Sequence, residues 1–564
     1  MIHDANDLGE PGLLSADVCI VGAGAAGITL ALDLMGSGYQ VLVLEGGGLH
    51  AERSAQRLYR GTVADERLHS PPHRYRQRRF GGTTTLWGGR CIPFDPIDFE
   101  PREYVPLSGW PIALETLLPF YPRANALCEA GAFRYRASEA FERPLRPMIE
   151  GFRSTHFSSD SLERFSRPTD FGARYRAELR AAPDVHVFLH ANVTEIVLHP
   201  GAGAVESLRV QTLRGRHLHV RAARFVLATG GLEVPRLLLS SRRVMPRGIG
   251  NDHDVVGRYY MCHLAGTIGR LRFERAADRI WHGYDRDADG IYCRRRLALT
   301  AETQRRLRIG NFIARLHHPH ITDPSHRCAV LSALQLAKGL IPYEYGKRLH
   351  GEERLSAQAW LGHLGNVVRA PGEVFGFACH MLRDRALAER KFPSVILRSP
   401  AGHFSLDFHA EQQPTAASRL TLTDQRDALG LPRLRVDWRY SPADLETVRT
   451  AVGLLAEDLR TSGVGTFEYD PDAVEFEMLR YGAYGGHHLG TTRMGTDRHT
   501  SVVDAHCRIH GIDNLYVAGS AVFPTSSQAN PTLTVVALAL RLAAHLRSVA
   551  PGLRQAALTG PSVP

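Results

Sequence analysis

Residues Asp17 to Glu45 read DVCIVGAGAAGITLALDLMGSGYQVLVLE, and they restrict the fold more tightly than any other stretch. An apolar run leads into a glycine cluster, an apolar segment of helical length follows, and a second apolar run ends on an acid. That succession of periods is a β-α-β unit. In it Gly22 permits the tight turn out of the first strand, Gly24 lets backbone approach a pyrophosphate, and Gly27 lets helix and strand pack closely. The helix N-terminus then offers unpaired N–H groups and a positive dipole end to an anion. Glu45 lies 18 residues past Gly27, where an acid accepts hydrogen bonds from a ribose hydroxyl and repels a 2′-phosphate. The pattern predicts a dinucleotide site and does not separate FAD from NAD.

The chain has 564 residues, too many for one core, so at least two domains are expected. No apolar run approaches the roughly 18 residues of a membrane-spanning helix. The N-terminus lacks both a basic and an apolar signal region, which predicts a cytoplasmic protein without membrane contact. Cys19, Cys91, Cys128, Cys262, Cys293, Cys328, Cys379 and Cys507 are dispersed with no C-x-x-C pair, the pattern of reduced structural thiols. The net charge of +10 is spread as arginine. Its densest point, Arg74 to Arg79, abuts a glycine motif rather than forming a basic helix, so no nucleic-acid partner is expected.

That motif, Phe80 to Arg90, reads FGGTTTLWGGR. Its glycines allow a segment to wind closely over a flat ligand, which marks Gly82, Thr83, Trp87 and Gly88 as cofactor contacts. Residues 94–182 read as mainly helical. Val185 to Val226 alternates as a small antiparallel excursion, and a return strand, Phe225 to Ala228, closes on Thr229-Gly230-Gly231 before a helix from about Pro235 to Ser240. From about Gly266 to Tyr469, alternating aromatic-containing runs predict a second sheet. His317, His318, His320 and His326, in HHPHITDPSH, read as a solvated turn rather than a metal site. On a strand over His403 to Gln413, Phe404, Leu406, Phe408 and Ala410 share one face. His403, Ser405, Asp407, His409, Glu411 and Gln413 share the other, which faces either water or a polyol.

Near the C-terminus, Tyr484 to Gly495 reads YGGHHLGTTRMG, and Asn514 to Ala539 reads NLYVAGSAVFPTSSQANPTLTVVALA. The second holds a strand, Leu515 to Ala518, a turn at Gly519-Ser520, and a helix starting near Pro531. Asn530 could serve there as no more than a helix cap.

Taken together, GAGAAG with Glu45, FGGTTTLWGG, ATGG, HHLGTTRMG and VAGSAVFPTSSQANPTLT, in that order, resemble the glucose-methanol-choline (GMC) oxidoreductases over essentially the whole chain, nearer to the pyranose-oxidase-like branch. The resemblance implies FAD, with Gly22, Gly24, Gly27, Glu45, Gly82, Thr83, Trp87, Gly88, Gly519 and Ser520 around it. It also implies His487, the histidine of H-x-x-G-T, as catalytic base, and Asn530 as its partner. Relatives that attach FAD covalently do so through a histidine where this chain has Leu86, so non-covalent FAD is expected.

The fold class expected is α/β: a Rossmann-like FAD-binding domain over 1–100, 185–265 and 480–552, a mixed or antiparallel-sheet substrate domain over 101–184 and 266–479, and a C-terminal tail over 553–564. The function expected is oxidation of an alcohol on a sugar, glycoside or polyol, with oxygen or an unknown acceptor taking the electrons and no metal involved. The rivals are a non-sugar alcohol as substrate, an NAD-dependent dehydrogenase, and a non-catalytic flavin-fold binding protein.

Overall fold

A computed structural model describes residues 1–9, 12–142, 144–274, 279–340, 355–394, 396–397 and 402–549; the tail expected over 553–564 lies outside the described residues. The β-α-β unit forms as Gly12–Val21, Ala25–Leu34 and Val41–Leu44. These strands pair in parallel with each other, and the sheet continues in parallel to Val185–Leu189 and Ile2–Asp4 on one side and to His217–Leu227 on the other. Such strands are covered on both faces, which is why Val18, Cys19, Ile20, Val41 and Val43 are all apolar and buried. Leu515–Val517 adds in parallel to the end of His217–Leu227. The strands Asn192–Leu198 and Val205–Gln211 form the antiparallel excursion, and the return strand is the far half of His217–Leu227 itself. The last helix, Thr532–Ser548, packs on Ala25–Leu34, so the two ends of the sequence share one core.

A second, antiparallel sheet runs Gly465–Glu468, Met261–Phe273, His403–Ala410, Phe312–His317, Leu297–Leu299 and Phe157–Ser158. Phe404, Leu406 and Phe408 enter its core with Val448, Val452 and Leu455 of the helix Pro442–Thr461. A smaller antiparallel sheet of Arg90–Cys91, Leu162–Phe165, Tyr292–Arg295 and Tyr284–Arg286 adjoins it. The 13-residue strand Met261–Phe273 is the joint of the molecule. Its first residues pair with Tyr484–Leu489, the strand that carries His487, and its later ones build the second sheet.

Two expectations are corrected. Residues 94–182 are not mainly helical: before Phe171–Ala181 the longest helix is Tyr121–Leu127, and Phe157–Ser158 and Leu162–Phe165 are strands. Pro96, Pro101, Pro106, Pro111, Pro119, Pro122, Pro144 and Pro147 break the segment repeatedly. The helix expected from Pro235 begins at Gly230. The glycines hid it, and each has its own reason: Gly230 turns with φ +84°, and a Cβ at Gly231 would lie 2.2 Å from the carbonyl oxygen of His488, so only glycine lets the helix approach the His487 strand this closely.

Candidate active site

A cavity of about 820 Å³ runs between the glycine motifs and the second sheet. It touches Gly22, Gly24, Glu45, Gly82, Thr83, Trp87, Gly88, Gly519, Ser520, His487 and Asn530. Of the cofactor-binding and catalytic residues expected from the sequence, Gly27 alone is not on its wall. Its part is packing, since a Cβ there would stand 1.9 Å from the Gly22 carbonyl oxygen. Gly22 turns with φ +105°, and a Cβ at Gly24 would meet nothing within 4 Å, leaving bare backbone on the cavity side. Glu45 is buried and accepts from the N–H groups of Ala23 (3.0 Å) and Gly47 (2.9 Å), which fixes the carboxylate at the strand end. Trp87 donates its indole N–H to the Thr169 carbonyl at 2.9 Å, and the Ser520 hydroxyl donates to the His488 carbonyl at 2.7 Å.

At the other end, His487 Nε2 lies 3.3 Å from Asn530 Nδ2, and His487 Nδ1 lies 2.7 Å from Nδ1 of His263. His263 is completely buried, and its Nε2 lies 3.1 Å from the Ser526 carbonyl oxygen. A carbonyl only accepts, so His263 carries its proton on Nε2. Burial keeps that imidazole neutral, its pKa lowered to about 4. Its Nδ1 is therefore an acceptor, His487 Nδ1 must donate to it, and the lone pair of neutral His487 is left on Nε2, where the Asn530 amide meets it. Asn530 is not the cap of the following helix. That position is Pro531, without a side-chain cap, and the carboxamide turns to His487 instead. The Asn530 Oδ1 is buried with no partner among the described residues.

His488 is held separately. The Tyr260 hydroxyl lies 2.6 Å from His488 Nδ1, 2.8 Å from His69 Nε2 and 3.2 Å from Cys262 Sγ. His69, Cys262 and His488 bring possible ligand atoms within 4.8 Å of one another. The phenol oxygen stands among them, and its hydrogen bonds account for the grouping. This network clamps the neighbour of His487 to the second sheet.

The polar faces the sequence left open are turned inward. Ser405, His409, Glu411 and Gln413 are buried, and Asp407 reaches the cavity wall. The histidine turn is likewise not solvated: His318 and His326 are buried, each with a pKa lowered to about 4 by burial, and His317 and His318 line the cavity. The cover over His326 is the helix Ala357–Arg369, whose His363 stands 5.7 Å away ring to ring. Sequence reasoning missed His263, Arg90, Arg294 and Arg315. His263 sits in an ordinary alternating strand, and only its pairing with a segment more than 200 residues later gives it a role. Arg90 closes the quoted flavin segment and was visible there.

The residues present fit FAD: open glycine backbone and Glu45 at one end, and at the other a histidine lone pair beside a carboxamide with an unclaimed oxygen. The pattern of the FAD dependent oxidoreductases matches residues 17–372, and that of the GMC oxidoreductases matches 414–539. The 6'''-hydroxyparomomycin C oxidase of Streptomyces lividus is 25% identical across 95% of this chain and 93% of its own. The 2-methyl-1,2-propanediol dehydrogenase of Mycolicibacterium austroafricanum is 23% identical across 93% of this chain and 94% of its own. Among solved structures, pyridoxine 4-oxidase from Mesorbium loti shares the fold with a TM-score of 0.52 at 18% identity, covering 94% of this chain and 98% of that one. With a family pattern spanning well over half of its length, the chain belongs to the FAD-dependent oxidoreductases, and among them to the GMC oxidoreductases.

Proposed function

We propose that His487 is the catalytic base and Asn530 the oxyanion partner of an FAD-dependent alcohol oxidation, with a sugar, glycoside or polyol as substrate. The observation that carries this is the hydrogen-bond chain from the Ser526 carbonyl through His263 to His487, which leaves an unprotonated Nε2 beside Asn530 on the cavity wall. FAD, when bound, supplies the acceptor for the hydride that leaves the carbinol carbon. His487 Nε2 takes the hydroxyl proton, so the substrate loses one proton and one hydride and becomes a carbonyl compound. Nδ1–H remains donated to His263, which keeps the ring oriented as it becomes cationic. An Asn530 N–H steadies the oxygen as negative charge develops there.

Gly22, Gly24, Glu45, Gly82, Thr83, Trp87, Gly88, Gly519 and Ser520 hold the cofactor by backbone and packing in this reading, and Gly27 keeps the helix in place. Leu86 lines the cavity and offers no nucleophile, which supports non-covalent FAD. The inward polar wall and the relative named for a hydroxyparomomycin support a polyhydroxy substrate; the relative named for a diol supports the alternative, a smaller alcohol. Oxygen is one candidate acceptor. We assign residues 1–100, 185–265 and 480–552 to cofactor binding, and 101–184 and 266–479 to substrate binding. Eight free cysteines, seven of them buried, support a cytoplasmic location. Among the described residues no helix is long and apolar enough to cross a membrane.

Anaerobic mixing of the FAD-loaded protein with a panel of sugars, glycosides, polyols and simple alcohols tests the reading. Bleaching of the oxidised-flavin absorbance by a polyhydroxy member is expected. A flavin that no alcohol bleaches would overturn it.

A further inference from the structure

The layer where the small sheet meets the second sheet carries more positive charge than its own carboxylates neutralise at bonding distance. In the small sheet Glu163 pairs with Arg294 and Phe165 with Arg90, so both arginines and Glu163 share one face. Arg315 and Asp407 are paired across the neighbouring sheet. Arg315 joins the two layers: its guanidinium bonds the fully buried Glu163, and its Nε lies 3.0 Å from Asp407. Arg90 Nε stands 3.4 Å from the same Glu163.

The remaining two cations of the cluster meet only neutral groups in their hydrogen bonds. Arg294 donates to the carbonyls of His282 (3.2 Å) and Leu316 (2.5 Å). Arg296 donates to the Ser161 hydroxyl and the Gln528 carbonyl oxygen, both at 2.7 Å. Arg294, Arg296 and Arg315 are all buried, and among the described residues neither Arg294 nor Arg296 has a carboxylate within ion-pair distance. Four guanidiniums thus face two carboxylates at bonding distance; a third acid, Asp95, reaches Arg296 only through Gln528, whose amide donates to it at 2.9 Å, and it leaves Arg294 on the cavity side unanswered. Arginine does not shed its proton, and a buried charge without a counter-charge is costly.

Arg90 and Arg294 reach the cavity, beside Tyr284, His317 and the already paired Asp407. The cluster is close to the chemistry. His409 in the same layer is 6.1 Å, ring to ring, from His263, which is 4.8 Å from His487. His409 feels the cluster directly: burial first, then Arg315 and Arg90, hold it well below the usual histidine range. The cofactor's diphosphate is provided for at the opposite end, by Gly22 and Gly24, so it does not answer this excess.

The geometry points to a substrate that brings its own carboxylate, a uronide or other polyhydroxy acid, received by Arg90 and Arg294 while one of its hydroxyls faces His487. This rests on the alcohol oxidation proposed above. The oxidised centre is a secondary or primary carbinol of the acid, and the carboxylate is unchanged. A cationic amino sugar would add to the positive excess and is the substrate this wall rejects.

The test compares matched compounds on the wild-type holoenzyme: methyl glucoside, methyl glucuronide, the methyl ester of that glucuronide, methyl glucosaminide, and the same four in the galacto and manno series. The readouts are anaerobic flavin bleaching and, for any series that does not bleach, binding seen as perturbation of the oxidised-flavin spectrum. The free acid is expected to exceed its ester and the neutral glycoside by about 10- to 100-fold in kcat/KM or in affinity, as a charge-assisted bidentate contact gives. Arg294→Met and Arg90→Met, with flavin content matched to wild type, should bring the acid-to-ester ratio down to about one, whatever each does to the rate on the neutral glycoside. An acid-to-ester ratio of one or less, or preference for the amino sugar, would overturn the inference while leaving alcohol oxidation standing. Absence of bleaching across the broader alcohol panel would instead overturn the function itself. A carboxylate that neither bleaches nor perturbs the flavin in any series would also defeat the inference.

Discussion

The two ends of the cavity are built from different materials. The glycine end is backbone: Gly22, Gly24 and Gly27 matter for what they lack, and the polar contacts of Glu45 are to the backbone N–H groups of Ala23 and Gly47, inside the one β-α-β unit and the turn that follows it. The histidine end is built of side chains anchored on backbone carbonyls such as that of Ser526, and its partners are far apart in sequence. His263 lies 224 residues from His487, and Arg315 lies 152 from Glu163. The difference teaches that the first end is a matter of fit, where one added methyl is the relevant perturbation. The second is a matter of proton and charge placement, where shape can survive while rate is lost.

That contrast is broken or sharpened by a short series. His487→Ala should keep its flavin and lose about 10²- to 10⁴-fold in anaerobic flavin reduction; a variant that loses flavin instead would move the histidine to the fitting end. His263→Leu removes the acceptor that fixes the His487 proton on Nδ1, and flavin reduction should fall by about 10- to 100-fold with its pH profile displaced. His263→Asn returns an acceptor near the position of Nδ1 and should recover most of that loss; if Leu and Asn behave alike, His263 is packing only.

Gly27→Ala forces a methyl against the Gly22 carbonyl and should cost about 1–3 kcal/mol of stability together with flavin content. Gly24→Ala, which meets no protein atom, should weaken flavin binding with little change in the thermal midpoint of the apoprotein. Equal thermal shifts for the two would erase the distinction between packing and contact. The smallest effect is in acid. His263 and His318 titrate near 4 when folded and near the ordinary histidine value when unfolded, so between those values the unfolded chain binds more protons. Stability is therefore full above about pH 6.5 and declines as pH falls toward 4, by about 1 kcal/mol per histidine at pH 5.5. Denaturant titrations of wild type and His263→Asn at the two pH values measure this, and an unchanged dependence in the variant would remove His263 from the account.

Legibility in sequence follows the same division. The β-α-β unit, the flavin segment and the return strand were readable because each is a local pattern whose spacing has one mechanical meaning. Asn530 and His487 were singled out through a family resemblance, whereas the Asn530 side chain taken alone was open to reading as a cap. The helix at Gly230 was hidden by two glycines, Gly230 with its positive φ of 84° and Gly231, which the packing against His488 requires. The polar face of His403–Ala410 was recognised as a face, but whether it met water or a cavity depended on strands 90 and more residues away. His263, Arg294 and Arg315 were invisible for the same reason: nothing local distinguishes a buried guanidinium facing a cavity from a solvated one.

The central claim, that His487 supplies the base at the cavity, is tested most directly by chemical rescue. FAD-loaded His487→Ala is mixed anaerobically with an alcohol that bleaches the wild type, in the presence of increasing imidazole. The account predicts slow bleaching that accelerates with the concentration of neutral imidazole. Bleaching at the wild-type rate without imidazole, or a slow rate that imidazole leaves unchanged, would contradict it.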